Sequence, residues 1–195
     1  MVLLAFILCG LAVGLVRGGS LRTMAHHNVT LLWLPVAAYL CKAAGPYAGR
    51  LFPAFAPYAP LAVCLLHYGL LFVFVAANLR RGAWSLVFGA GAGMNFAVIV
   101  LNNGAMPVSA RVLETAAGTG LAAQLAAGDI FAYAPVTQST RLAFLGDVLA
   151  LEPFGRLLGF ASAGDLVLGI GAAMLCCAML RPAKRTAAPP FSRCK

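Results

Sequence analysis

Between Leu61 and Asn102 the chain carries no acidic residue and, apart from His67, no basic one except the pair Arg80 and Arg81. The two apolar stretches on either side of that pair, residues 61–79 and 83–102, each come close to the ~20 residues that cross a bilayer as helix. A soluble fold has no place to hide them. Across all 195 residues, 62% are hydrophobic and 10% charged, against about 25% charged in soluble domains. At this length surface-to-volume scaling leaves too little interior to bury so much apolar surface. The chain therefore reads as a polytopic membrane protein of the all-α class.

Three further apolar segments complete a bundle of about five transmembrane helices. Residues 2–16 form a short first helix, retained because no positive charge precedes it as a signal peptide would require. Leu8 before Cys9 also departs from the small residue of a lipoprotein signal. Residues 29–44 form a second helix, expected to bend near Pro35, which removes one backbone hydrogen bond. Residues 45–60 read as a Pro- and aromatic-rich connection suited to a membrane interface. Residues 165–180 form the last helix. The transmembrane domain is thus expected over 1–180, with a basic cytoplasmic tail at 181–195. Between helices four and five lies a long outer connection, 103–164, too polar to cross again. Within it, 111–134 could lie along the membrane as an amphipathic helix or be partly buried and irregular.

Charge sets the orientation. The formal net charge of +9 would suggest nucleic acid in a soluble protein, but no aromatic-plus-basic pattern supports that partner. Arg17, Arg22, Arg80, Arg81, Arg181, Lys184, Arg185, Arg193 and Lys195 all fall on one side of a five-helix topology. Only Lys42, Arg50, Arg111, Arg141 and Arg156 fall on the other. Cytoplasmic loops carry the excess of lysine and arginine, which implies an outside N-terminus in the cell membrane. The lipid bilayer is the first expected partner.

All five acidic residues, Glu114, Asp129, Asp147, Glu152 and Asp165, lie in the outer connection or where it enters the last helix. Carboxylates near membrane depth are costly and point to function by default. Asp165 could simply cap a helix, where an acidic side chain meets free amides and the helix dipole. Asp147, in "LGDVL", has apolar neighbours on both sides and is expected to be partly buried. Two such carboxylates brought together would share a proton and divide into acid and base roles. Asn95 and Asn102 are seven residues apart on one helix face that also carries Gly91, with Gly89 and Gly93 nearby. Arg141 and Arg156 could hold a carboxylate or an anionic headgroup. Ser162 stands three residues before Asp165, at capping-box spacing but without a Glu or Gln partner. The six cysteines show no paired spacing with histidine, and His26, His27 and His67 do not converge. No Walker or dinucleotide fingerprint occurs, so neither a metal nor a cofactor is expected.

The segments "NFAVIVLNNGAMPVS", "LGDVL" and "SAGDLVLGIG" resemble an uncharacterised family of small bacterial membrane proteins, a likeness spanning most of the chain that implies no particular activity. A second, motif-level resemblance is to lipoprotein signal peptidase, the intramembrane aspartyl protease. Asn102, Gly104 and Ala105 match its Asn-x-Gly-Ala-Ala-Phe motif, and Asp147 and Asp165 match its two aspartates. Met106 and Pro107 replace Ala-Phe, Ser162 replaces the asparagine before the last aspartate, and the motif ahead of Asp147 is reduced to "TQSTR". This resemblance implies catalysis by Asp147, Asp165 and Asn102, with Arg141, Ser162 and Asn95 near the substrate. On it, the chain would hydrolyse an amide or ester of a membrane-embedded peptide or lipid. The competing expectation is a non-enzymatic accessory subunit of a larger membrane complex.

Overall fold

The computed structural model describes residues 2–24, 29–116, 120–151 and 159–181. Five long helices form its frame: α1 (Val2–Val16), α3 (Trp33–Leu51), α4 (Ala59–Asn78), α5 (Ala83–Leu101) and α8 (Ala163–Leu180). Short helices α2 (Leu21–Met24), α6 (Ala110–Thr115) and α7 (Leu121–Ala126) fill the connections. Three segments are long and apolar enough to cross a membrane: Ala59–Arg81, Ala83–Leu101 and Ala163–Leu180. α1 is apolar but shorter. Residues such as Leu4, Val36, Leu66 and Leu86 are more than half exposed on the helix surfaces, an outer face that suits lipid rather than water.

The helices pack in the order α1, α8, α5, α4, α3. Small residues set the distances. Gly10 of α1 faces the backbone of Ala173, and Gly14 faces Cys177 and Leu180. α1 and α8 therefore run parallel along a small-xxx-small stripe, with the Cys177 thiol donating to the Gly10 carbonyl at 3.0 Å. On the other side of α8, Gly91 meets the backbone of Leu168, while Gly171 meets Phe88; these two helices are antiparallel. Phe74, Trp84 and Phe88 stack between α4 and α5. At one end, the buried Asn78 amide donates to the carbonyls of Thr30 and Phe74 and accepts from the Thr30 amide.

The helix ends at Val16, Asn78, Ala83 and Leu180 gather at that same end, with Arg17, Arg81 and Arg181 around them. Four of the five acidic residues are described, and all of them belong to the connection at the opposite end or to the start of α8.

Two expectations need correction. α3 does not stop at residue 44; it runs through Pro46 to Leu51. Pro46 cannot donate to the Lys42 carbonyl, yet its φ is helical and the chain continues through it. Pro35 falls in the first turn, where the missing N–H has no helical acceptor to lose, and so does not force the expected bend.

The second correction concerns class. The fold is not all-α, because the outer connection folds into a four-stranded sheet. The strands are β1 (Met106–Val108), β2 (Tyr133–Pro135), β3 (Asp147–Leu151) and β4 (Gly159–Ser162). Their order is β2-β1-β3-β4, with β1 parallel to both its neighbours and β3 antiparallel to β4. Strand pairing satisfies backbone groups that an irregular loop against a membrane protein would leave buried. Within 111–134, α6 and α7 pack Val112 and Leu125 beneath the sheet against Val108. Of the two alternatives for this segment, a single surface helix is not formed; two short, partly buried helices are.

At the junction of α5 and the sheet, Asn103 and Gly104 adopt positive φ, 56° and 91°, and the Gly104 amide returns to the Ile99 carbonyl at 2.8 Å. A Cβ on Gly104 would collide with the backbone amide of Leu61. Only glycine allows α5 to end this close to the start of α4.

Candidate functional site

Asp147 opens β3 in the middle of the sheet, paired with Val108 on one side and Ser162 on the other. A bulge follows between Asp147 and Leu149, a device that turns a side chain out of the regular alternation. Asp147 is only 3% exposed, and its Oδ1 is buried with no hydrogen-bond partner among the described residues. A buried carboxylate without partners is costly as an anion. Burial, then the charge of Asp165, push the Asp147 carboxyl from the ordinary 3.8 up to about 7, with Lys42 opposing.

Asp165 reaches the same place from α8. The Ser162 hydroxyl accepts from the Asp165 amide at 2.9 Å, and the Ser162 amide donates to Asp165 Oδ2 at 3.1 Å. This is a complete capping box with aspartate in the partner position, so the absence of Glu or Gln is no obstacle. Asn95 Nδ2 donates to Asp165 Oδ1 at 2.7 Å, and the Ser162 hydroxyl donates to Asn95 Oδ1 at 2.8 Å. Gly164 makes the cluster possible, since a Cβ there would collide with Asn95 Oδ1. The network ties α5, β4 and α8 together in one part-buried knot.

Both aspartates line a single cavity of about 150 Å³ between the helices and the sheet. Lys42 of α3, His67 and Tyr68 of α4, Asn95 of α5 and Tyr133 of β2 complete its polar wall. His67 Nδ1 lies 2.8 Å from the Ala38 carbonyl, which places the hydrogen on Nδ1 and leaves Nε2 as the second nitrogen. Tyr133 is pushed up to about 12 by burial and by the negative charge of Asp147 and Asp165.

The expected residues separate into two groups. Asp147, Asp165, Asn95 and Ser162 come together. Asn102 and Arg141 do not join them, and line a different hollow on the sheet side. Asn102 caps α5: its Nδ2 donates to the carbonyls of Val98 and Arg141 at 2.7 and 2.8 Å, and its Oδ1 accepts from the Arg141 amide at 3.0 Å. Every polar atom of that amide is engaged in holding the 137–142 loop. Asn102→Ala should accordingly lower stability by about 1–2 kcal/mol, read as a lower denaturation midpoint in detergent, while the titration of Asp147 stays in place. Arg156, His26, His27 and the tail after Arg181 lie outside the described residues. No group of three or more metal-ligating side chains forms among the described residues.

Sequence reasoning missed Lys42, His67, Tyr68 and Tyr133. Lys42 is a lone cation in an apolar segment and His67 a lone imidazole in another, and both are visible as such. That they share a cavity with the aspartates depends on how α3 and α4 pack.

The model of a family of unknown function, DUF5317, matches residues 26–177, a span that holds α3 to α5, the sheet and nearly all of α8. No curated protein and no solved structure matches the chain.

Proposed function

The chain belongs to the DUF5317 family of unknown function, and we propose that it is an integral membrane acid–base enzyme of the aspartyl hydrolase kind. One observation carries this reading: a buried Asp147, with Oδ1 unpartnered among the described residues, shares a cavity with a second carboxylate, Asp165. A group that titrates near 7 can act as either acid or base at neutral pH. Asp165 is fixed by the Asn95 and Ser162 N–H groups and serves as the oriented partner of the pair.

In the proposed reaction a water attacks the carbonyl of an amide or ester. Its proton passes to an aspartate as the new C–O bond forms. The proton then returns to the leaving nitrogen or oxygen as the old bond breaks, giving a carboxylic acid and an amine or alcohol. The Tyr68 and Tyr133 hydroxyls and the Lys42 ammonium on the cavity wall are donors for an oxyanion. A cavity of about 150 Å³ admits the reacting end of a membrane-embedded peptide or lipid, with the remainder in the bilayer. The excess of arginine at the far end of the bundle supports a cell-membrane orientation with the cavity outside.

Hydrolysis can be detected by its product, whatever the substrate. Purified protein in vesicles of native membrane extract is incubated in oxygen-18 water, and released carboxylates are searched for the label by mass spectrometry. Labelled product should form and fall at least about 100-fold with Asp147→Asn, the usual scale of general acid–base catalysis. If no label depends on Asp147 and the protein instead purifies in fixed ratio with larger membrane proteins, the hydrolase reading fails. The accessory-subunit reading then replaces it.

A further inference from the structure

A second cleft, of about 650 Å³, lies at the opposite, basic end of the bundle. Its long walls are α1 and α8. Phe6, Cys9 and Val13 line it from α1 and Arg17 from just beyond its end, at a spacing that follows one helix face. Ile170 to Arg181 line it from α8 in the same way. From Phe6 to Arg17 the trough extends roughly 16 Å at 1.5 Å per residue. It is apolar along its length and cationic at one end.

That end is built with care. Arg17, Arg81 and Arg181 converge there from three different segments and are all exposed. No acidic residue occurs before Glu114 or after Asp165 in the sequence, so no carboxylate of these segments neutralises them. α5, a helix of 19 residues, also begins there, at Ala83, and the N-terminus of a helix favours an anion. Trp84 in its first turn is 3% exposed, and its indole Nε1 has no acceptor among the described residues. Gly82 lines the cleft beside it with φ +146°. A Cβ at 82 would stand 3.1 Å from Trp84 Cδ1 and 3.4 Å from Nε1. The missing side chain leaves the Cδ1–Nε1 edge of the indole directly beside Gly82 of the cleft lining, with Nε1 itself just beneath the surface.

We propose that this cleft binds an anionic phospholipid. The phosphate sits among Arg17, Arg81, Arg181 and the Trp84 N–H at the start of α5, and an acyl chain lies in the trough between α1 and α8. Guanidinium groups suit phosphate geometry, and anionic lipid is the abundant anion at a basic membrane face. The cleft lies at the end of the bundle away from the aspartate cavity and shares no lining residue with it.

Native mass spectrometry of the delipidated protein in detergent, titrated with phosphatidylglycerol or phosphatidylcholine, tests this. Phosphatidylglycerol should bind at least about tenfold more tightly than phosphatidylcholine. Trp84→Phe keeps an aromatic ring beside Phe74 and removes the N–H together with part of the indole's volume. It should cost about tenfold in phosphatidylglycerol affinity, with the denaturation midpoint of the lipid-free variant read alongside to separate lost volume from the lost donor. Arg17→Gln, Arg81→Gln and Arg181→Gln together, all at exposed positions, should abolish the preference. Equal binding of the two lipids, or variants that bind as the wild type does, would overturn the proposal. So would a lipid-free dimer, in which a second copy covers the cleft. Competition by glycerol phosphate at the concentration of the lipid would overturn it too, because the trough would then contribute nothing.

Discussion

Asp147→Asn should make the protein more stable than wild type at pH 8 and leave it almost unchanged at pH 4. Asp147 is held near 7 in the folded state, against an ordinary 3.8. Between those values the folded protein binds more protons than the unfolded chain, so stability falls as pH rises through that window. Below about pH 4 the carboxyl is protonated in both states and contributes nothing. Above about pH 7 the full penalty of the buried anion is present, and a carboxyl moved from 3.8 to about 7 corresponds to about 4 kcal/mol. Asparagine has nearly the same shape and cannot ionise, which removes that penalty. Thermal denaturation in detergent across pH 4–8 would show the wild type losing stability over a range where the variant does not. A variant that is less stable than wild type at pH 8 would mean that the Asp147 charge is satisfied in the fold. The stabilising change is also the one expected to abolish hydrolysis, the trade expected when a site is strained for function.

The second large effect is at Gly91. Within "GAGAGM", Gly89 faces the Val75 side chain, Gly91 faces α8 backbone, and Gly93 faces nothing within 4 Å. A methyl group on Gly91 would run into the amide of Leu168 and the Gly164 carbonyl, the latter at 2.7 Å. Helix backbone cannot move aside as a side chain can, so α5 and α8 must separate. Gly91→Ala should therefore cost at least about 3 kcal/mol, the upper part of the overpacking range. Because Asn95 lies one turn further along the same seam, the Asp165 network should loosen with it. Gly93→Ala provides the control: with open space around it, the better helix former should gain up to about 1 kcal/mol. Denaturation midpoints of the two variants should move in opposite directions. Equal behaviour would contradict the close α5–α8 contact.

The apolar frame is legible in the sequence because bilayer-length hydropathy is a long-range average that one misplaced residue does not spoil. Residues 2–16, 61–79, 83–102 and 165–180 correspond to α1, α4, α5 and α8 within two residues at each end. α3 reads too short because Pro46 looks like a break, although a helix packed along α4 tolerates it. The sheet leaves almost no trace. β1 and β2 are three residues each, "MPV" and "YAP", with a proline in both and no alternation. Their pairing is parallel and non-local, so no hairpin turn marks it.

The site is half legible. Asp147 stands out because a carboxylate between apolar neighbours asks for a reason, and Asp165 because acids are so few. Asn102 is expected beside them because it resembles a peptidase motif, but its amide caps α5 and holds Arg141. His67, Tyr68 and Lys42 reach the cavity only through the packing of α3 and α4, which no local pattern encodes.

Asp147 and Asp165 line one cavity, and the proposed hydrolase requires them to act as a coupled pair. The chain holds three aspartates, Asp129, Asp147 and Asp165, so carboxyl carbon-13 labelling of aspartate gives three resonances that single Asp→Asn variants assign. The decisive measurement is the pH titration of the Asp147 resonance in wild type and in Asp165→Asn. The pair predicts a midpoint near 7 that falls toward the ordinary carboxylate range when position 165 is neutral, without reaching it, since burial remains the larger cause. An Asp147 midpoint near 4, or one that ignores the substitution at 165, would contradict it.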